Sequence, residues 1–409
     1  MTGRPLKLAF VSPIFLFPAD TGGRIRTTNI LRGLKGGRFE VTLLSPATDT
    51  QERQHAADLA AICDQFISWH APRPPRWRRA LDLLGHLPVN VAADASRAGR
   101  ATVAQAAAAA PDLMVFDFVH AAVLMPEHVA SATLCFTHNV EAEIFARHAV
   151  TAANPLMRAL WRSQHRKMLD FEAQSLRRFT TVVAVSERDA AHFGKHYGIA
   201  RADPIPTGVD LEYFSWKTPP ANDPAEPPTI VFTGSMDSAA NHGGVEYFIE
   251  SVWPRVVATR PQARLIIVGR NPPAWLVALG RRHAGVEFTG SVPDVRPYVE
   301  RAHVFVIPLL VGGGTRIKAF EAMAAGCPVV STTLGIEGLE VEPGRHYLRG
   351  DDAEEMAAAI LRLLDDAGER GRLSKEARAL VEARFGHAVA AAAFEKLCLA
   401  AVSAAGAKA

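Results

Sequence analysis

Short runs of β-branched and aromatic residues alternate with helix-forming stretches along both halves of the chain. In the first half, Leu6–Ser12, Glu40–Ser45, Leu113–Phe116, Ala132–Thr137 and Thr181–Val185 read as strands. Runs this apolar suit parallel strands covered on both faces. The second half repeats the pattern at Thr229–Thr233, Arg264–Val268, Val286–Thr289, Val304–Pro308 and Val329–Thr332, with helices expected over Gly244–Ala258 and Val295–Arg301. Strand–helix alternation predicts parallel sheets with helices on both faces. Two such runs predict a pair of Rossmann-like α/β domains with ligands at the carboxyl ends of their strands.

At 409 residues the chain exceeds one ordinary core, so two domains are expected. The break falls at Asp203–Asp210, DPIPTGVD, where Pro204, Pro206 and Gly208 stop regular structure, and the proline-rich stretch Lys217–Pro228 follows. Expected limits are 1–205, 206–385 and a terminal helical segment over 386–409. A tandem repeat is not visible.

Hydrophobic content of 48% with 21% charged residues is that of a soluble globular protein. The net charge of +3 is too small to imply nucleic acid as a partner. Its distribution is uneven: residues 1–205 hold 24 Lys and Arg against 18 Asp and Glu, and the remainder holds 21 against 24. A basic first half suits an anionic or membrane-associated acceptor. Cys63, Cys135, Cys327 and Cys398 lack CxxC spacing, which argues against a zinc site or disulfide framework. The apolar start carries Pro13 and leads into a glycine loop, so it reads as a first strand and not a signal peptide. With no apolar stretch of about 18 residues evident, a cytoplasmic protein is expected, with peripheral membrane contact as a further option.

The segment Val311–Thr332, VGGGTRIKAFEAMAAGCPVVST, carries the clearest chemistry. Glycines followed by a helix N-terminus present bare amides and about half a positive charge, a setting for phosphate. Arg316 and Lys318 add formal charge, Thr315 is placed to cap the helix or bond phosphate, and Glu321 can accept two sugar hydroxyls. Phosphate and diol together describe a nucleotide-sugar. The Gly22–Gly23 pair, after the first strand and ahead of a helix expected at about Thr27, forms either a second anion loop or a simple turn. Arg24 is adjacent to it, with Arg26 a weaker candidate. His138, at the end of a strand, reads alone as a core residue, a cap or a site group. Glu141 would either orient His138 or cap the following helix.

These residues resemble glycosyltransferase family 4, the retaining nucleotide-sugar transferases of GT-B architecture, with two Rossmann-like domains facing across a cleft. The resemblance runs through Gly22–Gly23, FTHNVE at Phe136–Glu141, PTGVD at Pro206–Asp210, FTGSMD at Phe232–Asp237, VEFTGSVPDV at Val286–Val295 and the Val311–Thr332 block. The HNVE and GGGTRIK variants are similar to those of exopolysaccharide-type transferases. The resemblance implies a hexosyl donor bound by Gly22, Gly23, Arg24, Gly234, Gly313, Gly314, Thr315 and Glu321, with His138 bonding the donor sugar. The backbone at Ser291 and Val292 would read the base, and Arg270 either approaches the diphosphate or is an ordinary surface arginine. Transfer would retain anomeric configuration and need neither cofactor nor metal; the chain also lacks an Asp-x-Asp pair.

Two departures stand out. Gly313 occupies the place of the family's first glutamate, while Glu321 matches the second. The usual arginine and lysine after the first strand of the second domain are replaced by Gly234, Ser235, Met236, Asn241 and His242. Arg316 and Lys318 are expected to supply that charge from the other side of the cleft. The acceptor is a glycan, a lipid-linked glycan or a small molecule. Two basic segments, residues 71–88 with Trp77 and a helical face with Arg158, Trp161, Arg162, Arg166 and Lys167, suit either solvent or anionic lipid. The alternatives to a transferase are a nucleotide-sugar epimerase or hydrolase, and a non-catalytic nucleotide-sugar-binding protein.

Overall fold

A computed structural model of the chain describes residues 4–19, 21–71, 82–152, 154–206, 208–223, 225–311 and 317–406. It divides into two compact units, residues 1–208 with 387–409, and residues 209–386.

In the first unit seven strands form one parallel sheet: β1 (Leu6–Val11), β2 (Phe39–Pro46), β3 (Gln65–Trp69), β4 (Leu113–Asp117), β5 (Ala132–Phe136), β6 (Thr181–Ala184) and β7 (Ala202–Pro204). Their order is β3-β2-β1-β4-β5-β6-β7, so the chain leaves β1 in one direction and returns on its other side at β4. Phe10 pairs with Leu43 and Val115, and all three are fully buried. The central strands therefore carry apolar residues on both faces, as helices cover each.

The second unit has β8 (Thr229–Thr233), β9 (Arg264–Val268), β10 (Val286–Gly290), β11 (Val304–Ile307), β12 (Val329–Ser331) and β13 (Leu348–Arg349), in the order β10-β9-β8-β11-β12-β13. Its switch point lies between β8 and β11. Open parallel sheets bind ligands at the carboxyl ends of such strand pairs, so each unit offers one place for chemistry.

Four expectations are corrected. The terminal segment is not a body of its own: the helix His387–Gly406 packs Ala390, Ala391, Phe394, Cys398 and Ala401 into the core of the first unit beside Ile30 and Phe136. Its alanines let it lie close to the helix Gly22–Leu34; a Cβ on Gly33 would stand 2.3 Å from that of Ala391. The same helix, 20 residues with a mean hydropathy of 1.6 in its most apolar stretch, is long and apolar enough to cross a membrane, contrary to the reading of the sequence. Asp203 and Pro204, expected in a linker, end the edge strand β7, and the division falls later, after Gly208. Finally, the expected helix over Gly244–Ala258 is three pieces, Ala239–Tyr247, a π turn Phe248–Val252, and Trp253–Thr259. Pro254 has no N–H to give the preceding turn, which accounts for the local widening.

Candidate functional site

At the carboxyl end of the first sheet, three strand ends and one helix meet in a buried polar cluster. Asp117, the last residue of β4, is fully buried. Its carboxylate accepts from Ser12 Oγ at 3.1 Å and from His138 Nε2 at 2.7 Å, and Thr27 Oγ1 lies 3.0 Å from Oδ1. On the other edge of the imidazole, Arg26 Nη1 stands 3.3 Å from Nδ1. Arginine can only donate, so Nδ1 accepts and Nε2 carries the proton that goes to Asp117. His138 is thus a neutral imidazole of fixed tautomer, and burial lowers its pKa despite Asp117. Burial likewise pushes Arg26 down to about 10, opposed by Asp117 and Asp189.

Phe118 closes this cluster. Its ring stacks on His138 at 4.0 Å between centroids and on His120 at 5.1 Å. To do so its backbone sits at φ +63°, ψ 147°, a region other residues leave to glycine. The helix Gly22–Leu34 starts at Gly22 itself and not near Thr27. A Cβ on Gly23 would lie 2.6 Å from Phe118 Cζ and 3.8 Å from His138 Nδ1, so the glycine permits this close approach. Gly22 and Gly23 thus form the first turn of the helix, with Gly23 against the cluster. Arg24 donates to Pro18 O at 3.3 Å.

Glu141 performs neither role expected of it. Asp117 orients His138, and the N-terminus of the helix Glu141–Thr151 is capped by Glu172, which accepts from Glu141 N at 2.9 Å and Ala142 N at 3.2 Å. Glu172 is fully buried and also accepts from Tyr197 Oη at 2.9 Å. Burial pushes its carboxyl up to about 7 against those three donors.

In the second unit, Gly234 follows β8 and Lys318 lies in the first turn of the helix Ile317–Ala325. Lys318 Nζ donates to Asn241 Oδ1 at 2.9 Å and stands 4.4 Å from the centre of the Phe232 ring. Asn241 in turn donates to Ser235 O at 2.8 Å. A Cβ on Gly234 would come within 2.8 Å of Lys318 Nζ and 2.9 Å of Asn241 Nδ2. The cation reaches the loop after β8 from within the same unit, so the expectation that it acts from the opposite side is corrected. Asn241 occupies the place where a cation was missed, and it holds one. Glu321, one turn on, is half-buried; burial pushes its carboxyl up to about 7 although Lys318 pulls it down. Gly313, Gly314, Thr315 and Arg316 lie outside the described residues.

Arg270, just past β9, donates from Nε to Ser235 Oγ at 3.3 Å and lies 3.3 Å from Asp237, so its charge is shared within the β8 loop. Ser291 and Val292 follow β10; Ser291 is exposed and Val292 packs partly into the core. They stand two strands from β8, roughly 10 Å at the usual spacing. Sequence reasoning missed Ser12, Thr27 and Asp117. An aspartate closing the apolar strand LMVFD was the available signal.

The description Glycosyltransferase Family 4 matches residues 21–213, and Glycosyl transferases group 1 matches residues 227–366. The chain belongs to glycosyltransferase family 4. It is 29% identical over 246 residues to a GDP-mannose-dependent monoacylated alpha-(1-6)-phosphatidylinositol monomannoside mannosyltransferase of Corynebacterium glutamicum, covering 53% of this chain and 62% of that one. It is 32% identical over 167 residues to a phosphatidyl-myo-inositol mannosyltransferase of Mycolicibacterium smegmatis, covering 40% and 42% respectively. The matches thus span 62% and 42% of the lengths of these two relatives. Among solved structures, sucrose-phosphate synthase from Thermosynechococcus elongatus superposes with a TM-score of 0.72 at 21% identity, over 98% of this family 4 chain and 100% of that one. The two parallel-sheet units are those of the GT-B fold.

Proposed function

We propose that this protein is a glycosyltransferase that moves a hexosyl group from a nucleoside-diphosphate sugar to a hydroxyl of a glycan, a lipid-linked glycan or a small molecule. The observation that carries the reading is the carboxyl end of the second sheet, where Lys318 is held against the glycine loop after β8. A cation fixed by Asn241 and Phe232 next to a backbone without a side chain suits a diphosphate whose negative charge grows as the glycosidic bond breaks. Glu321, in its ionised form, accepts the donor's ribose hydroxyls, and the ends of β9 and β10 extend the surface toward the base. The GDP-mannose named for the Corynebacterium glutamicum relative makes it the first donor to try.

In the first unit, His138 Nδ1 faces Gly23. A sugar hydroxyl arriving at the glycine pair meets that nitrogen and displaces the 3.3 Å contact from Arg26, which is longer than the 2.7 Å bond to Asp117. Asp117 keeps the tautomer that leaves Nδ1 an acceptor. Transfer proceeds with retention and without metal, as the family resemblance implies. The acceptor oxygen bonds to the anomeric carbon, the bond from that carbon to the phosphate oxygen breaks, and the acceptor proton passes to the departing phosphate.

Incubation with a panel of nucleotide-sugars, followed by chromatography of the nucleoside diphosphate released, tests the proposal. Turnover of one donor, lost in Glu321→Ala and His138→Ala, is expected. Formation of an epimerised nucleotide-sugar, or no turnover of any donor, would overturn it. Nuclear magnetic resonance of the fresh product reads retention or inversion.

A further inference from the structure

The helices Glu141–Thr151 and Pro155–Leu176 form a hairpin whose tip combines two properties that seldom coincide on a solvated surface. Residues 144–169 hold five Arg and Lys and no Asp or Glu, the next carboxylate being the exposed Asp170 one turn beyond Arg166 and away from the tip. The nearest carboxylate before that stretch, Glu143, is engaged by Arg188 at 2.6 Å. At the hairpin end Val150 is 81% exposed, Leu156 76% and Met157 40%. Leu84 is 85% exposed and lies alongside, its neighbour Leu83 accepting from Lys167 Nζ at 2.7 Å. Arg162 and Arg166, one turn apart, are exposed on the outer face of the longer helix.

We infer that this hairpin tip docks on an anionic lipid bilayer, with Val150, Leu156 and Met157 entering the headgroup–acyl boundary and Arg162 and Arg166 lying over acidic headgroups. Both halves of the pattern are needed. An acidic protein or a polyanionic glycan satisfies the cations but leaves the aliphatic tip in water. A bilayer interface takes up both, since amphipathic surfaces bind by apolar burial together with attraction to acidic lipid. The aromatic expected on this face is not available: Trp161 turns inward, stacked on His148 at 4.7 Å and against Phe145 at 5.8 Å. That inward packing, with Met168 and Ala142, holds the hairpin together and leaves its end as a preformed apolar point.

Flotation of the full-length protein with vesicles of phosphatidylglycerol and phosphatidylcholine, and with phosphatidylcholine alone, tests the inference. Binding to the acidic vesicles only is expected, falling at 1 M salt where the screening length drops to about 3 Å. Each cation at such a surface contributes about fivefold, so Arg162→Ser with Arg166→Ser weakens partition by roughly 25-fold. Val150→Ser with Leu156→Ser must also weaken it, with thermal midpoints and donor turnover unchanged in both double variants. The inference is overturned by no flotation, or by equal flotation on the neutral vesicles. Binding that loses the arginines but is indifferent to Val150 and Leu156 also overturns it and points to a soluble polyanion instead. The flotation outcomes do not depend on the proposed reaction; donor turnover is only a second control, beside the thermal midpoint, on the two variants.

Discussion

Asp117→Asn strikes the one carboxylate that joins three strand ends of the first unit. The native group accepts from Ser12, Thr27 and His138 with no exposure to solvent. Asparagine keeps the shape, and its carbonyl can still accept from His138 while Ser12 rotates to accept from the new amide. The hydrogen-bond count therefore survives; the charge does not. A charge-assisted bond drops to a neutral one, a loss of about 1 kcal/mol, and the buried Arg26 guanidinium loses its nearer counter-charge. Removing one partner of a buried pair costs roughly 3–5 kcal/mol. Asp189 still faces Arg26, so about 2–4 kcal/mol is expected for the variant. Urea unfolding, followed separately for the two units because a two-unit chain need not melt in one step, reads this number. An amide can donate as well as accept, so the His138 tautomer is no longer enforced by an acceptor-only group, and turnover should fall about a hundredfold. Nucleoside diphosphate affinity, which the proposed function assigns to the other unit, should stay within a factor of about two. A variant as stable and active as the parent, or one that loses nucleotide affinity in parallel, would refute this picture of the cluster.

Three further outcomes follow from the geometry. Gly23→Ala drives a methyl to 2.6 Å from Phe118 Cζ, and displacing a ring stacked on His138 should cost about 1–3 kcal/mol and most of the activity; a variant with parental kinetics would mean the contact is relaxed easily. Glu172 has a folded pKa raised to about 7 from an ordinary 4.5, so its stabilising contribution is complete below the unfolded value and is lost as pH rises through 7. Glu172→Gln should remove about 3 kcal/mol from the pH dependence of the first unit's stability between pH 4.5 and 8, and identical pH profiles would discard the assignment. Glu321 is raised to about 7 as well, and only its carboxylate accepts two hydroxyls. Donor affinity should hold above pH 8 and decline about tenfold per unit below 7. Glu321→Gln should bind more weakly at a level that does not vary with pH; a flat profile in the parent would remove the ribose role.

Much of the scaffold could be read from the chain because parallel strands covered on both sides are apolar throughout. Thr229–Thr233 and Arg264–Val268 have the bounds expected of them, and the other central strands differ at their ends by a residue or so. Of the four edge strands, Val286–Gly290 was legible and the other three were not. Gln65–Trp69 exposes both Gln65 and Ile67 and buries only Trp69 fully, Ala202–Pro204 ends in proline, and Leu348–Arg349 is two residues long. At the carboxyl end of the second sheet the proximity of Lys318 and Glu321 was legible, since they sit on one contiguous helix turn, whereas Asn241, which bonds the lysine, is 77 residues away. The first cluster was the hardest to foresee. His138 and Gly23 stood out through local pattern, but Asp117 draws its donors from Ser12 and Thr27 at separations of 105 and 90 residues. Phe118 gave no sign, because a left-handed backbone at an aromatic residue is imposed by tertiary packing and not by its own preference.

Calorimetric titration of UDP and GDP into the parent and into Lys318→Ala asks whether the second sheet's end holds a nucleoside diphosphate. One of the two nucleotides should bind the parent, and the loss of a charge-assisted contact should weaken it roughly tenfold or more in the variant. Binding of neither nucleotide, or equal affinity in the two proteins, would contradict the assignment of that sheet end to the donor.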